Sequence, residues 1–592
     1  MLDAAVLALV ALALAVIVAV VAQTRRRRIA ADGPSTMPTP KGGLPFVGNL
    51  LQIDGARPHF TFTAWAAAVG DVYAVQLGPG RRMVVVSGEE AIREALVERG
   101  RALAGRPHPF RAGCITNNYR NIGFGDPCAS WRRQKQLVHR DLKSYGDGLR
   151  RLEDVTSTII ERTVDEVLTE SFVAAGGGGG RRMAVDFRPY LYAATLNIIC
   201  TFLTGGGGDD DGDGYAKTDP EFQLFQKMER LGVTLIASAG AGAELDAFPW
   251  LRYFGNATWR RCVEFMELRD LLYLRMRERV VAAREAAAVV DPLTDERTTA
   301  AAGVGGLIGT LLAAVEEDRA RSLPESDAVT EENIKGTFVD IILGGTASTT
   351  NLVYALLNIL LHNPDVYAKL KREIEDQQKA ATTTTATTKD GGGESEGRRL
   401  TVADRDAMPY TQAAILELLR FVSIAPFTVP HLALSDTSVG GYRVARGTEV
   451  LCNLWSLHHD ERYWSRPWDF LPERFLTADG LAVLPPVDPA RRRLMPFGAG
   501  PRRCTGEAFA LNRLFVVAAT LLQNCDVLPP EPENGISDGD APELVSCDPR
   551  TYALGIAFYP MDFRVRLLPT KYCLERQHLA AQQRLHQQQL HQ

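Results

Sequence analysis

Residues 497–506 read Phe-Gly-Ala-Gly-Pro-Arg-Arg-Cys-Thr-Gly. Cys504 stands in a turn punctuated by Gly498, Gly500 and Gly506, and the apolar, helix-forming run Ala508–Leu522 follows it. Glycine allows a tight turn and lets the backbone approach a flat group closely. A cysteine just ahead of a helix feels the positive end of the helix dipole, which favours its thiolate. A thiolate on haem iron pushes electron density onto the metal and favours O–O cleavage. In that setting Arg502 is placed to pair with a propionate and Phe497 to shield the sulfur. The plain alternative, a glycine-rich turn with a buried cysteine, leaves the accompanying motifs unexplained.

The run resembles the cytochrome P-450 haem-binding signature F-x-x-G-x-R-x-C-x-G at Phe497, Gly500, Arg502, Cys504 and Gly506. Working outward, Glu417-Leu-Leu-Arg420 is similar to the family's E-x-x-R, whose two ends share a helix face. The pattern gains weight from its place before Pro472-Glu-Arg-Phe475, which resembles the PERF element. The resemblance implies a buried charge network of Glu417, Arg420 and Arg474 that holds the cysteine loop, since buried charges persist when paired. Trp131-Arg-Arg-Gln-Lys135 resembles W-x-x-x-R, which binds one propionate; Lys135 replaces arginine and loses the bidentate fork. In related sequences this basic surface also docks the electron-donating reductase. Val429-Pro-His431 resembles the segment that meets the other propionate. Pro38–Leu50 looks like the proline-rich hinge of microsomal members. The resemblance covers roughly residues 1–565, nearly all of the chain.

One motif departs from the family. Where the pattern is [AG]-G-x-[DE]-T-[TS], this chain reads Gly344-Gly-Thr-Ala-Ser-Thr349. The small pair Gly344-Gly345 leaves room for oxygen, but Ala347 replaces the acid and Ser348 the usual threonine. Oxygen activation consumes protons: a hydroxyl positions a water and a carboxylate relays from solvent. Ser348 is the candidate hydroxyl, with Gly345 beside it; Ala347 relays nothing. Thr346, Thr349 and Thr350 are possible substitutes, or helix residues bonded to their own carbonyls. This departure, with Asn351-Leu-Val353, resembles the arthropod Spook-like group associated with ecdysteroid synthesis. Asp246–Leu251 and Asn453–Asp460 look like the broader microsomal group of steroid and xenobiotic hydroxylases.

The 592-residue chain carries a net charge of −5 with acidic and basic residues balanced along it, which argues against nucleic-acid binding. Nine cysteines without a CxxC pair indicate neither a zinc site nor a disulfide framework, and fit reduced thiols in a cytosolic body. Ala4–Ala22 is an unbroken apolar run followed by Arg25–Arg28. Its length and the charge order predict a membrane anchor with the body on the cytosolic side. Pro34–Pro45 reads as a semi-rigid linker.

Val72–Leu77 and Met83–Ser87 predict a hairpin. Helical periodicity runs over Glu89–Arg99, Val155–Glu170, Asn256–Val290 and Glu331–His362. Gly176–Gly180, Gly205–Gly214 and Thr382–Gly397 are biased inserts. Short β-type stretches appear at Ser438–Val444 and Glu449–Leu454. The expected organisation is an anchor over 1–24, a basic stop and hinge over 25–50, one mainly α domain with a small β portion over 51–570, and a disordered Gln/His-rich tail over 571–592.

The resemblance therefore implies the cytochrome P-450 fold on an N-terminal transmembrane helix, in the endoplasmic reticulum membrane. It implies haem b ligated by Cys504, O2 as co-substrate, and electrons from NADPH through a reductase. One oxygen atom would enter a lipophilic, sterol-like substrate. The alternatives are a haem-thiolate isomerase or dehydratase, for which Ala347 would make sense, and a non-catalytic haem sensor.

Overall fold

The computed structural model describes residues 37–78, 81–143, 150–174, 183–206, 215–236, 243–289, 305–385, 398–531 and 544–590. The expected anchor, with its flanking arginines, lies outside them. No described helix is long and apolar enough to cross a membrane. The inserts at 176–180, 207–214 and 386–397 also lie outside.

Where the sequence reads as one domain, the described residues divide into two compact units. The first contains the described residues from Met37 to Pro107, with Pro426–Leu457 and Gly498–Arg503. It is assembled from three separated segments, so no linker marks it in the linear sequence.

This first unit carries a four-stranded sheet. Val72–Gln76 and Arg82–Val86 form the expected hairpin, with Val72 opposite Val86 and Gln76 opposite Arg82. Glu449–Cys452 adds in parallel beside the second strand, and His431–Leu432 pairs antiparallel with it at the edge. Alternation along the strands puts Tyr73, Val75, Val85 and Leu451 on one face, packed with Phe62 and Ala66 of helix Pro58–Val69. Thr437–Val439 and Tyr442–Val444 make a separate ribbon, turned by Gly440 and Gly441 at φ of 57° and 77°.

The second unit is mainly helical. Its longest buried element, Glu331–His362, starts at a capping box in which Thr330 and Asn333 satisfy each other's end of the helix. Apolar residues surround most of this helix, as a central element requires. Around it pack Arg188–Thr204, Pro220–Ile236, Ala257–Val289, Gly306–Ala320 and Glu507–Asn524.

Two local readings differ from expectation. The stretch predicted helical over Glu89–Arg99 changes to a π turn over Glu94–Glu98, where the Arg99 amide reaches the Glu94 carbonyl at 2.7 Å. The 571–592 tail was expected to be disordered; instead Lys571–Leu590 is a helix. Its first turns are anchored: Cys573 is fully buried, and Arg576 pairs with Asp165 at 2.7 Å and donates to Asn524 at 3.0 Å. Composition predicts disorder when nothing anchors a segment, and here tertiary ion pairs do.

Candidate haem-thiolate site

In the second unit Cys504 is an exposed residue. Its amide donates to the Phe497 carbonyl at 2.9 Å, which closes the turn. Gly506 caps helix Glu507–Asn524, so Cys504 lies two residues before the cap of an 18-residue helix. That is the setting in which a helix dipole favours a thiolate.

The same helix carries Arg513, which is buried. Its Nη2 donates to the Gly345 carbonyl at 2.6 Å and to the Thr349 hydroxyl. The helix that follows the cysteine is thus tied to the central helix at the segment that departs from the family pattern.

That segment has an open side and a packed side. Gly344 is exposed, and a Cβ added there would meet nothing within 4 Å. One turn on, the Ser348 hydroxyl donates to the Gly344 carbonyl at 2.7 Å, leaving its lone pairs available. Gly345, grouped with Ser348 in the sequence reading, has a different neighbour. A Cβ there would come within 2.7 Å of Ile199 Cδ1, so this glycine lets helix Arg188–Thr204 approach closely. Thr346 and Thr350 are buried, and their hydroxyls find no partner among the described residues.

Glu417 and Arg420 are fully buried and paired at 2.7 and 2.8 Å. Arg474 donates to Glu417 at 3.2 Å. The two Arg420 Nη1 hydrogens go to the carbonyls of His458 and Pro467, each at 2.9 Å, and Nη2 also reaches the Asp469 carbonyl at 3.3 Å. His458, missed in the sequence, carries the connection onward. Its Nε2 accepts from the Met495 amide at 3.1 Å, and its Nδ1 lies 2.8 Å from the Ser423 hydroxyl. Accepting at Nε2 requires a neutral ring with the proton on Nδ1, and burial holds the pKa of His458 well below its usual value. A bonded path therefore runs from Glu417 through Arg420 and His458 to Met495, two residues before Phe497.

Trp131 is buried, but its Nε1–H donates to the Ile122 carbonyl at 3.1 Å. Lys135, one turn on, holds its ammonium 5.2 Å from the Trp131 ring. Trp131, which the W-x-x-x-R resemblance assigns to a propionate, thus has its indole N–H engaged by backbone.

The first unit brings two arginines, Arg106 and Arg502, near His431. His431 Nδ1 lies 2.7 Å from the Leu103 carbonyl, which leaves Nε2 as an acceptor in the neutral ring. Burial, with Arg106 and Arg502 nearby, pushes its pKa down to about 3. Arg106 is buried, donates to the carbonyls of Val429 and Pro430 at 2.8 and 3.0 Å, and is pushed down to about 9 by burial and by Arg502. Arg502 donates to the Ala104 carbonyl at 2.6 Å. Gly500, at φ 68°, has no room for a side chain: a Cβ would meet the Leu96 carbonyl at 1.8 Å. Arg106 was not singled out in the sequence; its only signal there is an arginine between Gly105 and Pro107.

Within the second unit, an exposed cysteine ahead of a helix and a glycine-opened stretch on a buried central helix suit the thiolate and the open face that an iron porphyrin needs; within the first unit, Arg106 and Arg502 are cations suited to its carboxylates. This is the class of cysteine-ligated haem protein. Residues 37–554 match the family described as Cytochrome P450, and the chain belongs to that family. It is a monooxygenase that uses haem b, O2 and electrons derived from NAD(P)H.

Among curated proteins the chain is 30% identical to the steroid 17-alpha-hydroxylase/17,20 lyase of Ictalurus punctatus, covering 81% of this chain and 83% of that one. It is 29% identical to the enzyme of the same name from Oryzias latipes, over 90% and 91% of the two chains. A zebra fish cytochrome P450 structure with progesterone superposes with a TM-score of 0.65 at 25% identity, covering 86% of this chain and 99% of that one. A second zebra fish structure, with abiraterone, gives 0.62 at 24% and shows the shared fold.

Proposed function

We propose that this enzyme hydroxylates a steroid or sterol-like substrate, with Cys504 as the residue that would hold its haem iron. The observation that carries the ligand assignment is the exposed Cys504 ahead of helix Glu507–Asn524, in a turn closed on Phe497. The substrate class rests on the curated relatives, which are steroid hydroxylases by name. An ecdysteroid-pathway substrate is the finer reading suggested by the atypical Gly344–Thr349 segment.

The haem, when bound, supplies oxygen activation and insertion of one oxygen atom into a C–H bond. Cys504 would hold the iron. Arg502 and Arg106 would neutralise the propionates, and a carboxylate beside His431 would raise its pKa and let Nε2–H donate. Lys135 would add charge from its own unit, and Trp131 its ring. Phe497 would shield the sulfur, and Gly500 and Gly506 would shape the loop. Glu417, Arg420 and Arg474 would hold that loop through His458. Ser348 would position a water for proton delivery, since Ala347 cannot relay.

We further read the chain as anchored by residues 1–24 in the endoplasmic reticulum membrane, with a hinge over 25–50 and the catalytic body in the cytosol. Electrons would come from an NADPH-dependent reductase docking on the basic helix Ala129–Lys143, where Arg132 and Gln136 are exposed.

The first test is the reduced, CO-bound absorption spectrum of the protein beside Cys504→Ser. A strongly red-shifted Soret band that disappears in the variant supports the ligand. A band unaffected by the substitution overturns it. Binding spectra and NADPH-dependent product formation with steroids then test the substrate class; fatty acids turned over in preference to steroids would overturn it.

A further inference from the structure

The open face of the central helix is bounded by a carboxylate. Residues three and four apart share a helix face, so Asn333, Gly336, Asp340, Gly344 and Ser348 lie along one stripe of Glu331–His362. The segment Arg120–Gly123 covers the first part of that stripe. The Asn333 side chain donates to the Arg120 carbonyl at 3.0 Å, and a Cβ added at Gly336 would meet the Arg120 carbonyl oxygen and the Asn121 nitrogen at 2.9 Å. Asp340 closes the contact. It accepts from the Asn121 side chain at 2.5 Å and from the backbone amides of Ile122 and Gly123 at 2.8 and 3.0 Å. One turn further on, at Gly344, the cover has ended. The flanks of Gly344 are filled, by Leu343 packed 3.0 Å from a Cβ position on Gly232 and by Ile199 against Gly345. The opening therefore has an end wall, and Asn121–Gly123 forms it.

Ile122 in this wall is held from two sides. Its N–H goes to Asp340, and its carbonyl accepts the Trp131 indole N–H at 3.1 Å. Asn121 is oriented by the Phe124 amide, which donates to its Oδ1 at 3.1 Å and so turns its NH2 toward Asp340. Three donors thus converge on one group. An ionised carboxylate is acceptor-only and satisfies all three, whereas a carboxamide would set N–H against N–H. Burial pushes Asp340 up to about 6, which leaves it the anion at neutral pH. The Ile122 side chain packs against the apolar cluster of this unit and keeps some exposed surface, so the wall is apolar.

We propose that Asp340 is a positioning residue for ligand binding: through Asn121, Ile122 and Gly123 it fixes the end wall of the opening at Gly344, and so sets the affinity of ligands long enough to reach that wall. It touches no reacting atom. It acts by removing the wall's freedom beforehand, so that an arriving ligand does not have to order it. Small ligands that stop short of the wall are indifferent to it. The inference rests on the reading that the opening at Gly344 faces the haem.

The test uses the full-length holoprotein and two iron ligands, imidazole and a biphenyl-substituted imidazole, each titrated by its haem absorption shift. Amide hydrogen exchange over Arg120–Gly125 is followed alongside. In the parent this segment should exchange as slowly as the central helix; rapid exchange there overturns the proposal without any variant. In Asp340→Asn, exchange over Arg120–Gly125 should quicken several-fold while the central helix stays protected. Imidazole affinity should hold, and affinity for the biphenyl ligand should fall several-fold. An unchanged ratio of the two affinities overturns the proposal, whether both stay constant or both fall together, since a merely structural role moves them equally. If Asp340→Asn fails to fold, Asn121→Ala removes one of the three donors and puts the same ratio to the test. A parent that gave no imidazole shift would overturn the haem reading; in a parent that gives one, the ratio tests this inference alone.

Discussion

Arg513 Nη2 donates to the carbonyl of Gly345 at 2.6 Å, joining the helix that begins after Cys504 to the central helix beside Ser348. The guanidinium is buried and also reaches the Thr349 hydroxyl and stacks 4.8 Å from the Phe509 ring. Arg513→Met keeps much of the volume and removes the donors. We expect a loss of about 2 kcal/mol in denaturant unfolding, from the unmatched buried acceptors. The reduced-CO band should shrink in parallel. Unchanged values in both would show that the tie is incidental.

His458 joins the Glu417–Arg420 pair to the backbone ahead of Phe497. His458→Phe fits the space but leaves the Met495 amide and the Ser423 hydroxyl without their ring partner. The expected cost is about 2–3 kcal/mol. The more specific readout is haem release, which should be faster than in a variant of equal stability altered elsewhere in the core. Equal release rates would confine His458 to general packing.

Ser348 offers its lone pairs to the open side of the central helix while its proton goes to the Gly344 carbonyl. Ser348→Ala should leave stability within about 0.5 kcal/mol, because the lost bond is local. Product formed per NADPH consumed should fall several-fold as peroxide release rises. Unchanged coupling would remove Ser348 from proton delivery.

His59 packs 4.8 Å from the Trp455 ring, and burial lowers its pKa from 6.5 to about 4. Above pH 6.5 the ring is neutral in both folded and unfolded chains. Below it, the unfolded chain takes a proton that the folded chain refuses until about pH 4. Stability therefore falls with pH across that window, by about 1.4 kcal/mol per unit for each such group. His431 and His458 act in the same direction. Asp340 and Glu229, raised by burial to about 6 and about 7, act oppositely, because the folded chain protonates first. His59→Phe removes one histidine from this balance, so melting temperature should decline less between pH 6.5 and 5 than in the parent. Parallel curves would mean that His59 accepts a proton while folded.

Much of the architecture was legible from short-range patterns. The strand-like runs Val72–Leu77 and Met83–Ser87 marked the hairpin, and the apolar periodicity of Glu331–His362 matched the observed helix end to end. The cysteine turn, its following helix and the Glu417–Arg420 spacing were all visible, because i, i+3 spacing and glycine placement act within a few residues. Composition misjudged the C-terminal tail, since Arg576 finds Asp165 more than four hundred residues away in the chain.

What the tertiary structure alone decided are relationships set by packing between distant segments. The two adjacent glycines serve different ends: Gly344 opens a space, while Gly345 admits Ile199. His458 and Arg513 look like ordinary helix residues until their partners arrive from elsewhere. Arg106 comes near His431, with Arg502, when Val429 and Pro430 present their carbonyls to it. Local sequence determines which conformations are cheap and which chemistry is available; which polar group meets which is determined by burial, where each donor left without an acceptor is costly.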